Sequence, residues 1–239
     1  MTAGLAYLED NLPIRLAPYT IGASACGLVI VDEVNGFATV KAGNLAPQAP
    51  NGQVERMIRE TDRLAREFSD RDRPIAVFLD SHQPGKPEPP YPPHCERGTG
   101  EDELVPALKW LDGCPQATLI AKDCINGFVG AEAGAGRGNR IVGWVNDGRL
   151  ASIVVVGICT DICVMDFVLT MLSARNHGMM PTLTDIVVYE PGCATYALPR
   201  ETALSLGLPI TAAHPQAETH HLGLYFMASR GAILASTLD

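Results

Sequence analysis

A strand signal runs directly into a helix signal within IVVVGICTDICVMDFVLTMLSARNHG, residues 153–178. Its first four residues are apolar without alternation, which is typical of a strand buried on both faces of a parallel sheet. After a turn that carries Cys159 and Cys163, apolar residues recur at helical spacing, and Gly178 is well placed as a C-terminal cap. The recurring residues are Ile162, Met165, Val168, Leu169 and Leu172. The stretch therefore predicts one strand–turn–helix unit.

The same alternation of strand and helix recurs along the rest of the chain. Short apolar runs predict strands at residues 28–31, 75–79, 118–121, 153–156, 186–189 and 232–235. Within residues 51–70 a helix is predicted, with one face formed by Val54, Met57, Ile58, Thr61, Leu64, Ala65 and Phe68. A last helix is predicted to begin at Pro215 and to end at Gly231.

Buried strands that alternate with amphipathic helices indicate a mostly parallel sheet covered on both faces. We predict a three-layer α/β/α fold with about six strands. No linker and no internal repeat interrupts residues 1–239, so we predict a single domain.

Composition excludes several classes of partner. The 239 residues carry a net charge of −9 and no Lys/Arg block, which argues against nucleic acid and against an anionic membrane surface. No apolar run approaches the roughly 20 residues that span a bilayer. The N-terminal 20 residues lack a secretory signal pattern, and the seven cysteines are scattered and odd in number. We therefore expect a cytoplasmic protein with reduced thiols, and we leave open whether it is a homo-oligomer.

One long segment, HQPGKPEPPYPPHCERGTGEDELVP at residues 82–106, is too rich in proline for a helix or a strand. A loop of this length in a compact domain is either disordered or functional. His82, Tyr91 and His94 lie within it, and they favour a functional loop.

Polar side chains follow four of the predicted strands. Asp32, Asp80 and Lys122 follow the first three, and the turn with Cys159 and Cys163 follows the fourth. Taken singly, each has a structural explanation, such as a turn-forming Asp or a small buried Cys. Ligands of open α/β sheets bind at the carboxyl ends of strands, so their joint arrival there favours a functional site.

A thiol, a carboxylate and an ammonium group together suit acyl transfer from an amide through a thioester. Asp32 can take the thiol proton, and Lys122 can stabilise the charges that develop. Cys163 is predicted to begin a helix, where backbone amides favour a thiolate and an oxyanion. We therefore interpret Cys163 as the nucleophile and Cys159 as a backbone donor to the oxyanion.

A second cluster of polar residues predicts a metal site. Asp80 and His82 are separated by one residue, so in an extended chain their side chains point the same way. His94, from the proline-rich loop, is expected to join them. Two histidines and one carboxylate can bind a divalent transition metal, with zinc as the first choice and iron or manganese as alternatives. Glu88 is the candidate for a further ligand or for holding a bound water.

Five motifs give the chain a family resemblance: GLVIVDEVNGF, FLDSHQPG, YPPHCERGT, LIAKDCINGF and GICTDICV. Over residues 26–190 they resemble the isochorismatase-like cysteine hydrolases, and among these the nicotinamidases. The C-terminal AHPQAETHHLGLYFMASRGA is most similar to the plant-type branch. The resemblance implies that Asp32, Lys122 and Cys163 are catalytic, with an oxyanion hole formed by the amides of Cys159 and Cys163.

The resemblance implies further parts of the site. Asp80, His82 and His94 would be metal ligands, while the fourth protein ligand of many nicotinamidases has only Glu88 as a counterpart in this loop. A cis peptide bond is implied at Cys159. The resemblance also implies a pyridine ring held between Phe37 and Tyr91, with Phe128 closing the pocket.

We therefore predict hydrolysis of nicotinamide to nicotinate and ammonia, and acceptance of pyrazinamide. In this interpretation the metal binds the pyridine nitrogen, since the three catalytic residues already supply nucleophile, base and oxyanion donors. The alternative within the family is an amidase for maleamate-, ureidoacrylate- or carbamoyl-type substrates. Isochorismatase activity itself is disfavoured by Cys163. A non-haem iron oxygenase and a non-catalytic binding protein are the alternatives from other classes.

Overall fold

The computed structural model describes residues 2–22, 25–86, 88–134 and 138–239. Its centre is a seven-stranded sheet in which every strand pairs in parallel with its neighbours. The strands are β1 (Ala17–Tyr19), β2 (Cys26–Val31), β3 (Ile75–Asp80), β4 (Ala117–Lys122), β5 (Ser152–Ile158), β6 (Asp185–Ala194) and β7 (Ile233–Leu238). The fold class is confirmed, with one strand more than the predicted six. The extra strand, β1, has only three residues and contains a proline, so it gives no apolar run.

Eight α-helices and two short 3₁₀ helices connect the described strands. The α-helices are α1 (Ala3–Asn11), α2 (Asn35–Ala38), α3 (Gly52–Asp70), α4 (Gly127–Gly130), α5 (Arg140–Asp147), α6 (Cys163–Asn176), α7 (Arg200–Ser205) and α8 (Gln216–Ala228). The 3₁₀ helices are Pro106–Gly113 and Ile210–Ala212. None of the helices within the described ranges is long and apolar enough to cross a bilayer.

Alternate residues of the central strands pack into two separate hydrophobic cores, one on each face of the sheet. Val29 and Val31 of β2 face a core that is completed by α5, α6 and α8. Leu28 and Ile30 face the opposite core, completed by α3 and the first 3₁₀ helix. Because both faces of the sheet are covered, β2 and β5 are buried along their whole length. This arrangement explains why their sequences show no polar alternation.

The helix predictions differ in accuracy. The predicted face of α3 is buried except for Ile58, which is partly buried. In α6 the predicted stripe is only partly right, since Val168 and Leu172 are buried while Ile162, Met165 and Leu169 are partly buried. The helix lies between the sheet and α8, and it buries Val164, Phe167 and Met171 instead. Gly178 follows α6 in the left-handed region at φ 86°, as a C-terminal cap requires. The last helix starts at Gln216, one residue after the predicted Pro215, and ends at Ala228, three residues before Gly231.

The strand order is β1-β7-β6-β5-β2-β3-β4. From β2 the chain first builds outward through β3 and β4, and it then crosses back to place β5 on the other side of β2. A crevice opens at the carboxyl ends of strands where the order reverses in this way. In this fold that position lies between β2 and β5, where Asp32 and Cys163 follow their strands.

Candidate active site

The four strand ends deliver their polar side chains to one place. Asp32 directly follows β2, Asp80 ends β3 and Lys122 ends β4, with Asp80 and Lys122 paired in register. Cys163 is the first residue of α6, after the turn that leaves β5. All four residues are buried. The predicted meeting of these side chains is therefore present in the structure.

Lys122 lies between two carboxylates. Its Nζ is 2.8 Å from Asp32 Oδ2 and 2.9 Å from Asp80 Oδ1, and it also donates to the carbonyl oxygen of Cys124 at 2.9 Å. Burial disfavours the ammonium form, but Asp32, Cys163 and Asp80 outweigh this effect and raise the pKa of Lys122 well above its ordinary value. Lys122 is therefore a fixed positive charge that links the two clusters of the site.

Asp32 and Cys163 form a carboxylate and thiol pair. Burial raises the pKa of Asp32 to about 6, while Lys122 lowers it and Asp80 adds to the rise. Burial also raises the pKa of the Cys163 thiol well above its ordinary value, against the charge of Lys122. At neutral pH the resting pair is an ionised Asp32 and a neutral thiol. The Asp32 carboxylate contacts Lys122 at 2.8 Å and hydrogen-bonds Cys163, so it lies within reach of the thiol proton.

The turn between β5 and α6 presents backbone amides beside the thiol. Within the described chain, neither the amide of Cys159 nor that of Cys163 donates to a protein acceptor. The Ile158–Cys159 peptide bond is cis, as the family resemblance implied. Gly157 precedes it at φ 129°, and a Cβ there would lie 2.1 Å from the carbonyl oxygen of Val31. Only glycine fits this position, where the end of β5 lies against the end of β2.

The two predicted histidine ligands converge on Asp80. Nε2 of His82 lies 3.0 Å from Asp80 Oδ2, and Nε2 of His94 lies 3.3 Å from the same oxygen. One ligand atom from each of these residues falls within 4.8 Å of the others, in a buried position. Two imidazoles and a carboxylate suit a divalent transition metal. The three residues therefore form a site that can hold a divalent metal ion.

The surroundings of this cluster fit a bound cation. The Nδ1 of His94 lies 2.8 Å from the carbonyl oxygen of Pro92, which fixes the ring so that Nε2 faces Asp80. Burial disfavours a charged His94, yet hydrogen bonds to Asp80 and Glu88 raise its pKa to about 10. The carboxylates thus attract positive charge to this position. A divalent metal ion would satisfy the same demand in place of the proton.

Glu88 lies next to the metal-ligand cluster. Its Oε2 is 3.6 Å from His82 Nε2 and 3.5 Å from His94 Nε2, outside the compact group of three. Its Oε1 accepts a hydrogen bond of 2.9 Å from the backbone amide of Ile125, which follows β4. One oxygen of Glu88 is therefore held by the protein while the other faces the two histidines.

Two of the three predicted substrate-binding aromatic residues flank the cluster. The ring centroid of Phe37 lies 5.6 Å from that of His94, and the Tyr91 centroid lies 6.0 Å from it. Phe128 is the second residue of α4 and packs against the core on the α6 side of the sheet. Phe37 and Tyr91 thus lie where a planar ring could sit beside His94, while pocket closure by Phe128 stays a prediction.

Sequence reasoning missed a set of residues that contact the turn carrying Cys159 and Cys163. The side chains of Thr160 and Asp161, which lie between the two cysteines, hydrogen-bond His220 and His214 of the C-terminal segment. Tyr196 stacks on the ring of His214 with centroids 3.8 Å apart. The only sequence signal for these contacts is an unusual concentration of histidine in residues 214–221.

Comparison with known proteins agrees with this geometry. The sequence profile of the isochorismatase domain matches residues 26–237. Nicotinamidase 1 of Arabidopsis thaliana is 54% identical over 216 residues, which are 90% of this chain and 87% of that protein. A Bacillus subtilis nicotinamidase structure aligns with a TM-score of 0.64 at 21% identity, over 89% of this chain and 100% of the other. The zinc complex of Pyrococcus horikoshii pyrazinamidase aligns with a TM-score of 0.58 at 19% identity, over 87% and 97% of the two chains. The chain belongs to the isochorismatase domain family.

Proposed function

We propose that this protein is a nicotinamidase, which hydrolyses nicotinamide to nicotinate and ammonia through a thioester on Cys163. The observation that carries the proposal is the junction of two clusters at Lys122, which contacts both Asp32 and Asp80. It places an amide-cleaving thiol beside a metal-ligand cluster that can recognise a ring nitrogen. The 54% identity to Nicotinamidase 1 of Arabidopsis thaliana supports the same activity.

The substrate ring is proposed to lie between Phe37 and Tyr91, both of which flank His94. Asp80, His82 and His94 would hold a divalent metal ion, which would offer the pyridine nitrogen a coordination position. Glu88 is the candidate for the remaining protein ligand, because its Oε2 faces both histidines. Zinc is our first choice of metal. This mixture of imidazole and carboxylate ligands suits zinc, and the related pyrazinamidase of Pyrococcus horikoshii was solved with it.

Attack begins with the thiol of Cys163. As its sulfur forms a bond to the carboxamide carbon, its proton moves to Asp32, whose hydrogen bond with Cys163 and pKa of about 6 suit a general base. The carbonyl oxygen gains negative charge and accepts hydrogen bonds from the amides of Cys159 and Cys163. Lys122 keeps Asp32 ionised before attack by stabilising its charge.

The tetrahedral intermediate then breaks its carbon–nitrogen bond. Asp32 returns the proton to the leaving nitrogen, and ammonia departs with the thioester left on Cys163. A water molecule, deprotonated by Asp32, attacks the thioester carbon. The carbon–sulfur bond breaks, the proton passes from Asp32 to the sulfur, and the acid leaves with the thiol restored and releases its own proton to water as nicotinate.

The rival proposal is an amidase for maleamate-, ureidoacrylate- or carbamoyl-type substrates. Such a reaction would use the same three catalytic residues. It would give no role to the metal-ligand cluster beside Phe37 and Tyr91. Because His82 and His94 are both buried and aimed at Asp80, we favour an aromatic amide with a ring nitrogen.

Ammonia release from a panel of amides separates these proposals. Nicotinamide and pyrazinamide should both be hydrolysed. Benzamide has the same shape without the ring nitrogen and should react more slowly by up to about 10⁴-fold, because a site built around a polar contact rejects an analogue that lacks it. Comparable rates on benzamide and nicotinamide would contradict the ring-nitrogen contact. Turnover of only the maleamate or ureidoacrylate compound would establish the rival function.

A further inference from the structure

The nucleophile turn, residues 159–163, is attached by its side chains to the C-terminal segment of the chain. Thr160 Oγ1 lies 2.8 Å from Nδ1 of His220, and Asp161 Oδ2 lies 2.8 Å from Nε2 of His214. Thr160 is fully buried and both histidines are less than a tenth exposed. Neither histidine has a role in the proposed chemistry, so these contacts need another explanation.

Each histidine is fixed at its other ring nitrogen too. The second nitrogen of His214, Nδ1, lies 2.8 Å from the carbonyl oxygen of Tyr196, an acceptor that requires a proton on the histidine. Nε2 of His220 lies 3.3 Å from Glu190, and Glu190 is paired with Arg56 of α3 at 2.7 Å. The rings are therefore held in one orientation from both sides, as supports of a precisely aimed group should be.

The ionic state of Asp161 agrees with this arrangement. Burial would raise the pKa of Asp161, but the hydrogen bond and charge of His214 hold it below its ordinary value. Its other oxygen, Oδ1, accepts a hydrogen bond of 2.6 Å from Thr195. Both oxygens of Asp161 thus have partners. Removal of His214 would leave this charged group of the turn without one of its two contacts.

The backbone of α8 touches the turn as well. A Cβ built on Gly223 would lie 2.8 Å from the Cα of Asp161 and 2.9 Å from its backbone nitrogen, closer than side chains ordinarily approach. Glycine at this position lets α8 lie directly against the turn. The helix therefore supports the turn through both side chains and backbone.

We propose that His214 and His220 are positioning residues. They hold the turn so that the Cys163 thiol and the backbone amides of Cys159 and Cys163 keep their orientation. The proposal rests on the proposed function, because the same turn carries the nucleophile. Inside the turn, Cys159 O accepts from the amides of Ile162 and Val164. The turn is also attached to β6 and the residue after it, because the amide of Thr160 donates to Ala194 O at 2.9 Å and Thr195 donates to Asp161. The two histidines attach the side chains of the turn to the C-terminal segment.

The test uses a matched control on the same helix. His221 is as buried as His220, at 6% against 8% exposed, but its Nε2 contacts the carbonyl oxygen of Leu12, away from the turn. We expect His214→Ala and His220→Ala to lower kcat by about 10- to 100-fold with little change in KM, since misplacement of about 1 Å costs on this scale. His221→Ala should keep kcat within about twofold at a similar loss of melting temperature. Equal kcat in all three variants would overturn the proposal.

Conservative variants separate positioning from general damage. An Asn at 220 places a polar atom near the position of Nδ1, and a Gln at 214 places one near Nε2. His220→Asn and His214→Gln should therefore recover a large part of kcat. If they are no better than the alanine variants while equally folded, the hydrogen bonds to the turn are not what matters.

Gly223→Ala tests the contact between α8 and the turn independently, because the added Cβ would displace the backbone of Asp161. It should lower kcat, whereas Gly143→Ala in α5, whose Cβ would meet nothing within 4 Å, should not. An unchanged kcat in Gly223→Ala would count against support of the turn by α8.

Hydrogen exchange followed by mass spectrometry makes the test independent of the substrate. The peptide covering residues 157–165 should exchange faster in His214→Ala and His220→Ala than in wild type, and His221→Ala should leave it unchanged. Unchanged exchange in all three would overturn the inference. Absence of ammonia release by the wild-type protein from nicotinamide would overturn the proposed function instead, and the exchange result would still decide this inference.

Discussion

Replacement of Lys122 by methionine leaves two buried carboxylates without their shared cation. The Nζ of Lys122 lies within 3 Å of both Asp32 and Asp80, and all three side chains are almost fully buried. Breaking a buried ion pair by removal of one partner costs about 3–5 kcal/mol. A change of 1 kcal/mol shifts the melting temperature of a protein of this size by about 2–4 °C. The melting temperature of Lys122→Met should therefore fall by about 6–20 °C.

The assay is thermal unfolding of chelator-treated protein, so that no metal charge replaces the lysine. Lys109→Met is the matched control, because Lys109 also contacts two carboxylates, at 3.0 Å each, but on the exposed surface. Surface pairs contribute less than about 1 kcal/mol, so this control should unfold close to wild type. The double variant Lys122→Met/Asp32→Asn removes one orphaned charge and should regain part of the loss, while activity stays absent. A single variant as stable as Lys109→Met, or a double variant less stable than the single one, would refute the reasoning.

Three further predictions concern the base, the metal and the end of β5. Activity should fall as the pH drops through about 6, because protonated Asp32 cannot accept the thiol proton. Metal content is measured at each pH as a control. A rate that is flat from pH 7 to 5 at constant metal content would exclude Asp32 as the base. His82→Ala and His94→Ala should lose the bound metal by elemental analysis, with a smaller loss in Glu88→Ala, and full retention in both histidine variants would make those residues structural. Gly157→Ala should be destabilised by more than about 2 kcal/mol in denaturant unfolding, since its Cβ would lie 2.1 Å from a backbone oxygen, and wild-type stability would show that the backbone relaxes freely.

The sequence was most informative where a single strand fixes the geometry. Buried parallel strands read as unbroken apolar runs, and the polar residue after each run must then lie at the same edge of the sheet. This is why Asp32, Asp80 and Lys122 could be placed together without coordinates. The pair Asp80 and His82 follows from strand alternation alone.

Features that depend on contacts between distant segments were harder to predict. The strand β1 is recognisable only from its pairing with β7 at the far end of the chain. The buried side of α6 could not be chosen from periodicity, because both the sheet and α8 cover that helix. The ties of His214 and His220 to the turn span more than 50 residues, and nothing local in the sequence specifies which partner a buried histidine finds.

The central claim is that Cys163 attacks the amide carbon while Cys159 contributes only its backbone. The most direct test compares ammonia release from nicotinamide by wild type, Cys163→Ala and Cys159→Ala at equal metal content. We predict that Cys163→Ala has no activity above background, and that Cys159→Ala stays within about tenfold of wild type, because its backbone amide is retained. Near-equal losses in the two variants, or measurable turnover by Cys163→Ala, would contradict the account.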